Sequence, residues 1–143
     1  MKVLALVAAA TIAAQPQHTE EQFNLVCSGT MHSYFEQTGS VKDEPYTYTY
    51  RIDLKSGKWC EADCRVVNPI AEVQPTFLRL RPDRNEDAPT HREKWTSLID
   101  RTNGTEIVMV EGWDNLLGNS TMTWKGTCER QPFTGFPEVK TKF

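Results

Sequence analysis

The sequence YTYTYRIDL at residues 46–54 alternates aromatic or aliphatic residues with polar ones. A period of two is typical of an antiparallel strand that buries one face and exposes the other. The face assigned to the core carries Tyr46, Tyr48, Tyr50, Ile52 and Leu54. The following KSGK at 55–58 predicts a turn in which Gly57 adopts a positive φ. A hairpin leading into Trp59 is therefore expected.

Both ends of the predicted domain show the same alternation. One face of the first predicted strand carries Phe23, Leu25 and Cys27. One face of the last predicted strand carries Met122, Trp124, Gly126 and Cys128. Between these strands, Asn103-Gly104 is a strong hairpin signal, and the β-branched residues that follow it predict another strand.

Other segments give weaker signals. Residues 75–82 have a proline at each end and predict a short strand near an edge of the sheet. Residues 83–92 are polar and predict a mobile loop. The pattern does not distinguish helix from strand at residues 92–101 and 112–120. The expected fold is all-β and mainly antiparallel: a small curled sheet, β-barrel or sandwich with one or two short helical turns.

The first fourteen residues have the composition of a secretory signal peptide. Lys2 precedes an apolar run of 12 residues that ends at Ala14, and polar residues follow. This run is shorter than the roughly 20 residues that an α-helix needs to span a bilayer. We therefore expect a signal peptide at 1–14, a disordered N-terminal segment at 15–22 and a single antiparallel β domain at 23–143. No membrane span or lipid anchor is expected, and localisation is predicted to be periplasmic or secreted.

Four cysteines form an even set, which in an exported protein predicts two disulfides. Cys60 and Cys64 can be bridged only if the three residues between them form a turn, because an extended chain would separate their α-carbons by roughly 13 Å. The intervening Glu-Ala-Asp favours a turn, so the predicted pairs are Cys60–Cys64 and Cys27–Cys128. A four-cysteine zinc site is the alternative, but such sites usually contain two close Cys pairs.

No catalytic or metal-binding motif is apparent. The histidines, at positions 18, 32 and 91, have no ligand-spaced neighbours. Oxidised cysteines would offer no thiolate nucleophile. Paired acids occur at 43–44, 61/63 and 86–87, where polar turns predict solvated surface. No metal, cofactor or catalytic residue is therefore predicted, and the protein is expected not to be an enzyme.

Aromatic residues are the one group with evident binding potential, because their faces stack on sugars, lipids or a partner protein. The alternative is that they pack in the core. The candidate ligand-binding residues are Tyr46, Tyr48, Tyr50, Trp59, Trp113 and Trp124. The expected partner is an unknown protein or a small apolar ligand. No nucleic-acid partner is expected, since the formal net charge is −3 and no basic stripe occurs.

Several segments together resemble a group of small exported proteins of Gram-negative bacteria that has no assigned function. The segments are FNLVCSGT at 23–30, YRIDL at 50–54 with WC at 59–60, IDR at 99–101 with Gly104, and GTC at 126–128 with Pro132-Phe133. This resemblance implies the compartment and the size of the protein but no functional residue. The chain is more loosely similar to exported bacterial lysozyme inhibitors, which are small disulfide-bearing β-barrels.

These observations predict a non-enzymatic binding or envelope-associated module. The alternatives are a lipocalin-like carrier of a small apolar ligand and a hydrolase whose carboxylates the sequence does not identify. An internal cavity lined by aromatic residues would favour the carrier. An exposed aromatic patch would favour a partner protein, and two buried, convergent carboxylates would favour the enzyme.

Overall fold

The computed structural model describes residues 21–138 of the chain. The strands in this part of the chain are β1 (Gln22–Phe35), β2 (Ser40–Asp53), β3 (Lys58–Glu61), β4 (Asn68–Pro69), β5 (Glu72–Val73), β6 (Phe77–Arg79), β7 (Arg84–Ala88), β8 (His91–Asp100), β9 (Thr105–Asp114) and β10 (Gly118–Gln131). Strand β1 thus begins one residue before the predicted start of the β domain. The predicted signal peptide at 1–14 and most of the predicted disordered segment at 15–22 lie outside the described residues.

All these strands belong to one sheet in which every ladder is antiparallel. Their order is β4-β3-β2-β1-β10-β9-β8-β6-β5, and β7 pairs with the start of β8. The sheet curls into a half-barrel, which confirms the all-β curled sheet and excludes the sandwich. The two edge strands of this order, β4 and β5, are neighbours in the chain, because only residues 70–71 separate them.

The turn chemistry is as the sequence predicts. Gly57, between β2 and β3, has a φ of 65°, and Gly104, between β8 and β9, has a φ of 72°. Only glycine adopts these angles without a steric cost from a Cβ atom. The short strand expected within 75–82 is β6, which lies next to the edge strand β5.

Two expectations about the less patterned segments are wrong. Residues 83–92 do not form a loop, because β7 and the start of β8 make a hairpin there. The expected helical turns do not occur within residues 21–138, where 92–101 belong to β8 and its turn and 112–120 belong to a β9–β10 hairpin. In that same range, no helix has the length and apolar character that crossing a bilayer requires.

The core lies on the inner face of the curled sheet. Tyr50 and Ile52 are buried as the alternation in β2 predicts, whereas Tyr48 on the same face is 45% exposed. The buried cluster consists of Phe23, Leu25, Cys27, Tyr50, Ile52, Trp59, Leu78, Leu80 and Ile99. The inward-facing sides of the long strands therefore meet in a single core. Burial of apolar surface in this core is the main source of the domain's stability.

Both predicted disulfides are confirmed. Cys27 and Cys128 lie directly opposite each other on β1 and β10, with α-carbons 3.9 Å apart. Cys60 and Cys64 are joined across a turn in which the amide of Cys64 donates to the carbonyl of Glu61 at 2.8 Å. No free cysteine occurs among the described residues. Disulfides of this kind persist in oxidising environments.

Candidate functional site

The inner face of the half-barrel contains a partly open cavity of about 220 Å³. Strands from both halves of the sheet contribute to its wall, together with the segment that follows β6. The lining residues are Tyr48, Tyr50, Trp59, Glu61, Leu78, Leu80, Arg81, Trp95, Ser97, Ile99, Glu106, Val108 and Trp124. The wall is thus mainly apolar with a few polar groups, which is the usual composition of a small-molecule site.

Aromatic rings form two sides of the cavity. On the β2–β3 side, Tyr50 packs edge-on against Trp59 with ring centroids 5.9 Å apart, and Tyr48 lies 6.4 Å from Tyr50. On the β8–β10 side, Trp95 and Trp124 lie 6.1 Å apart. These spacings are those of favourable aromatic pairs, so both walls are held by ring contacts as well as by the sheet.

Arg81 lies between the two aromatic sides. Its guanidinium carbon is 5.2 Å from the ring centroid of Trp59 and 5.7 Å from that of Trp95. One of its terminal nitrogens donates to the carboxylate of Glu61. The side chains of Arg81 and Glu61 are partly exposed, so this ion pair stands at the rim of the cavity rather than in its interior.

Glu106 is the buried carboxyl group of the cavity and is only 2% exposed. The hydroxyl of Tyr50 donates to its Oε1 at 2.7 Å, and the hydroxyl of Tyr46 donates to its Oε2 at 3.1 Å. Both carboxyl oxygens therefore have a partner, as a buried acid requires.

A row of paired residues across four strands brings Tyr46 to Glu106. Tyr46 on β2 pairs with Gly29 on β1, Gly29 pairs with Gly126 on β10, and Gly126 pairs with Glu106 on β9. A Cβ atom at Gly126 would lie 2.6 Å from the Tyr46 hydroxyl. The two glycines therefore leave the space through which Tyr46 reaches across two strands to the acid.

Burial and mutual contact change the acidity of these three groups. Burial raises the pKa of Glu106, and the hydrogen bonds from Tyr50 and Tyr46 oppose this rise. Burial also raises the pKa of Tyr50 and of Tyr46, and the nearby charge of Glu106 adds to the rise. The tyrosines thus remain protonated donors, and the carboxyl group takes up a proton more readily than an exposed glutamate.

The raised pKa of Glu106 predicts a pH dependence of stability. Above the ordinary pKa of 4.5, the folded protein retains a proton that the unfolded chain has lost, so the contribution of Glu106 to stability decreases as pH rises through the folded-state pKa. Glu106→Gln removes this titration and keeps the side-chain shape. We expect the stability of the wild type relative to this variant to be greatest at pH 4 and to decline towards pH 8 in urea unfolding. A difference in the free energy of unfolding between the two proteins that stays constant from pH 4 to pH 8 would contradict the prediction.

Trp95, one of the lining residues, contains an unusual polar atom. Its indole Nε1 is buried and has no hydrogen-bond partner. An indole nitrogen is a donor only, and leaving a buried donor unpaired is unfavourable by about 1–3 kcal/mol. The indole of Trp59, by comparison, donates to the carbonyl of Pro69 at 3.1 Å.

The structure brings together most, but not all, of the aromatic residues named from the sequence. Those that line the cavity are Tyr48, Tyr50, Trp59 and Trp124. Tyr46 lies beside it and contacts Glu106 through its hydroxyl. Trp113 lies elsewhere, with the guanidinium of Arg92 4.8 Å from its ring centroid.

Nine of the lining residues were missed as site residues. The chemically important ones among them are Glu106, Trp95 and Arg81, and for the first two the sequence contains a signal. Glu106 alternates in phase with Val108 and Val110, which predicts that this acid faces the core. Trp95 alternates in phase with inward-facing Ile99, but this pattern is lost if the segment is taken as helical. Arg81 follows β6 and has no pattern that marks it.

The described residues offer little for acid–base or metal chemistry outside the cavity. The acids at 43–44, 61/63 and 86–87 are exposed as expected, although all but Asp63 lie in strands rather than in turns. Of these acids, Glu61 alone stands at the rim of the cavity. His32 pairs with Asp43 at 2.5 Å on the surface. Cys27, Glu106 and Cys128 lie close together, but the two sulfurs form a disulfide and provide no thiolate for a metal.

A scan against protein-family models, a search of curated proteins and a search of solved structures each found no match to this chain. The resemblance to small exported proteins of Gram-negative bacteria therefore stays a prediction. Any functional conclusion rests on the cavity itself.

Proposed function

We propose that this chain is an exported, non-enzymatic binding protein whose half-barrel cavity holds a small, largely apolar ligand. The observation that carries the proposal is the cavity of about 220 Å³ between two aromatic walls. Pockets for drug-sized molecules begin at roughly 300 Å³, so a smaller ligand fits this one. Of the alternatives raised by the sequence, a carrier of a small apolar ligand is the one that such a cavity favours.

The polar groups of the cavity favour binding over hydrolysis. A general acid and base need two groups that converge on a substrate and are free to exchange protons with it. Both oxygens of Glu106 already accept hydrogen bonds from tyrosines, and Glu61 is paired with Arg81 at the rim. These carboxyl groups therefore stabilise the walls and leave the cavity to a ligand.

Export is supported by two independent features. The composition of residues 1–14 is that of a signal peptide, and both disulfides suit an oxidising compartment. The proposed location is the periplasm or the extracellular medium. In either place, a small binding protein would meet ligands that have not entered the cytoplasm.

Octanol is a suitable first probe because its short apolar chain matches the small cavity. We expect it to bind the wild type in isothermal titration calorimetry and to change tryptophan fluorescence. Ser97→Phe places a large ring into the cavity and should abolish binding. Thr96→Phe is the matched control, since the neighbouring residue of a strand faces the opposite side of the sheet. It should leave octanol affinity unchanged.

Two results would contradict the proposed function. One is the absence of octanol binding, and of binding by related alkyl probes, to a folded wild-type protein. The other is binding that Ser97→Phe leaves intact, because the ligand would then occupy a different surface. Near-UV circular dichroism of each variant confirms that the tertiary fold is retained.

A further inference from the structure

Aromatic rings outnumber aliphatic side chains in the wall of the cavity. The β2–β3 side contributes three of the rings and the β8–β10 side contributes two, so rings face the cavity from both halves of the sheet. The aromatic lining residues are Tyr48, Tyr50, Trp59, Trp95 and Trp124, and the aliphatic ones are Leu78, Leu80, Ile99 and Val108. A ligand in the cavity therefore contacts rings on two sides.

The position of Arg81 shows what shape fits between these two sides. Its guanidinium is planar and delocalised. The guanidinium carbon lies 5.2 Å from the ring centroid of Trp59 and 5.7 Å from that of Trp95. Both distances are within the roughly 6 Å over which a flat cation interacts with an aromatic ring. At the mouth of the cavity, the two tryptophans are thus spaced to hold a planar group, and an aromatic ring has the same flat shape.

Ring contacts distinguish an aromatic ligand from an aliphatic ligand of similar size. Removal of apolar surface from water favours the binding of both. Aromatic pairs with centroids roughly 4.5–7 Å apart gain further free energy beyond the area that they bury. The two sides of the cavity already use such spacings within themselves, at 5.9 Å and 6.1 Å. A ligand ring can make this kind of contact with both sides, whereas an alkyl chain cannot.

The volume and the polar groups of the cavity limit the ligand further. An apolar cavity of roughly 150 Å³ is enough to bind benzene. At about 220 Å³, the cavity therefore suits one ring with a short substituent or two fused rings. A sugar also stacks on aromatic faces, but its hydroxyls need hydrogen-bond partners. Glu106 already accepts from two tyrosines and Glu61 is paired with Arg81, so the acids of the lining are engaged.

We propose that the cavity selects small ligands with a flat aromatic ring, which packs between the β2–β3 side and the β8–β10 side. This inference rests on the proposed binding function and adds the class of ligand. The ring lies on the inner side of Arg81, which stays paired with Glu61 at the rim. Selection comes from ring contacts that a saturated ligand lacks.

Benzyl alcohol and cyclohexylmethanol are matched probes for this inference. They have the same skeleton of non-hydrogen atoms and the same hydroxyl group, and only benzyl alcohol has an aromatic ring. Cyclohexylmethanol is the more hydrophobic of the two, so transfer out of water alone would make it the tighter ligand. We expect benzyl alcohol to bind about fivefold more tightly because of its ring contacts. Isothermal titration calorimetry on the full chain as exported measures both affinities.

Two substitutions assign this preference to the cavity. Trp124→Leu removes a ring and keeps an apolar side chain, so it should reduce the ratio of the two affinities to about one. Tyr48→Leu should also reduce the ratio, and because Tyr48 is 45% exposed this change disturbs the core little. Trp113→Leu is the matched control, since Trp113 lies outside the cavity against Arg92 and its loss should leave the ratio unchanged. If near-UV circular dichroism shows Trp124→Leu to be unfolded, Tyr48→Leu decides the test.

The outcomes separate this inference from the function on which it rests. If octanol, benzyl alcohol and cyclohexylmethanol all fail to bind, the proposed binding function is wrong and the inference is wrong with it. If cyclohexylmethanol binds as tightly as benzyl alcohol or more tightly, only the inference is overturned. The inference is also wrong if the folded cavity variants keep the wild-type ratio, or if Trp113→Leu lowers the ratio as much as they do.

Discussion

Replacing Cys27 and Cys128 together by alanine is expected to lower the free energy of unfolding by about 4–5 kcal/mol. The bridge joins residues separated by 101 positions, so it removes a large part of the freedom of the unfolded chain. It also fixes the pairing of β1 with β10, the junction at the middle of the sheet. Urea unfolding of the non-reduced proteins measures the change.

The second disulfide provides the control. Cys60 and Cys64 are separated by only 4 positions, and the same chain-entropy relation gives about 2 kcal/mol for their bridge. Cys60→Ala with Cys64→Ala should therefore leave a folded domain. A larger loss of stability from this pair than from Cys27 and Cys128 would contradict the entropic account. It would indicate that the turn at 61–64 is essential for β3.

Gly126→Ala is expected to destabilise the fold by about 3 kcal/mol. A Cβ atom there would overlap the carbonyl oxygen of Ser28 on β1, and only a backbone shift can relieve this contact. The same atom would lie 2.6 Å from the Tyr46 hydroxyl and would displace it from Glu106. The substitution thus disturbs both the central strand pair and the buried acid. Thermal and urea unfolding report the loss.

Gly112→Ala is the matched control, because Gly112 also lies within a strand. The nearest atom to its added Cβ is the hydroxyl oxygen of Ser120, at 2.9 Å, which belongs to a short side chain that can rotate. The substitution also reduces the freedom of the unfolded chain, which favours folding. We expect Gly112→Ala to lower the free energy of unfolding by much less than Gly126→Ala does. Equal losses would mean that any in-strand glycine is costly here and that the close approach at Gly126 is not special.

Local patterns predicted the parts of the fold that local chemistry determines. The alternation at 46–54 identified the buried face of β2, because Tyr50 and Ile52 both lie in the core. Gly57 and Gly104 marked two turns, since each has a positive φ. The spacing of the cysteines predicted both disulfides because a separation of four residues permits a bridge only across a turn.

The remaining features depend on pairing between distant segments. β7 was missed because its five residues are all exposed, so no apolar alternation reveals it. It is held to β8 by backbone pairing and by ion pairs such as that of Arg84 with Glu93. The contact of Tyr46 with Glu106 depends on register across four strands, which alternation within one strand does not specify.

The arrangement of the edge strands bears on how the protein behaves in concentrated solution. A sheet that ends in long, flat strands exposes backbone groups on which another chain can add, which leads to aggregation. Here β4 and β5 have two residues each, and β7 carries Arg84, Glu86 and Asp87 on five exposed positions. An incoming strand would find few free backbone partners beside β4 or β5 and charged side chains beside β7. The outer edge of β2 that β3 leaves unpaired, residues 40–49, carries three charged residues and a proline at 42–45. An incompletely closed half-barrel is in this way protected from polymerising through its own edges.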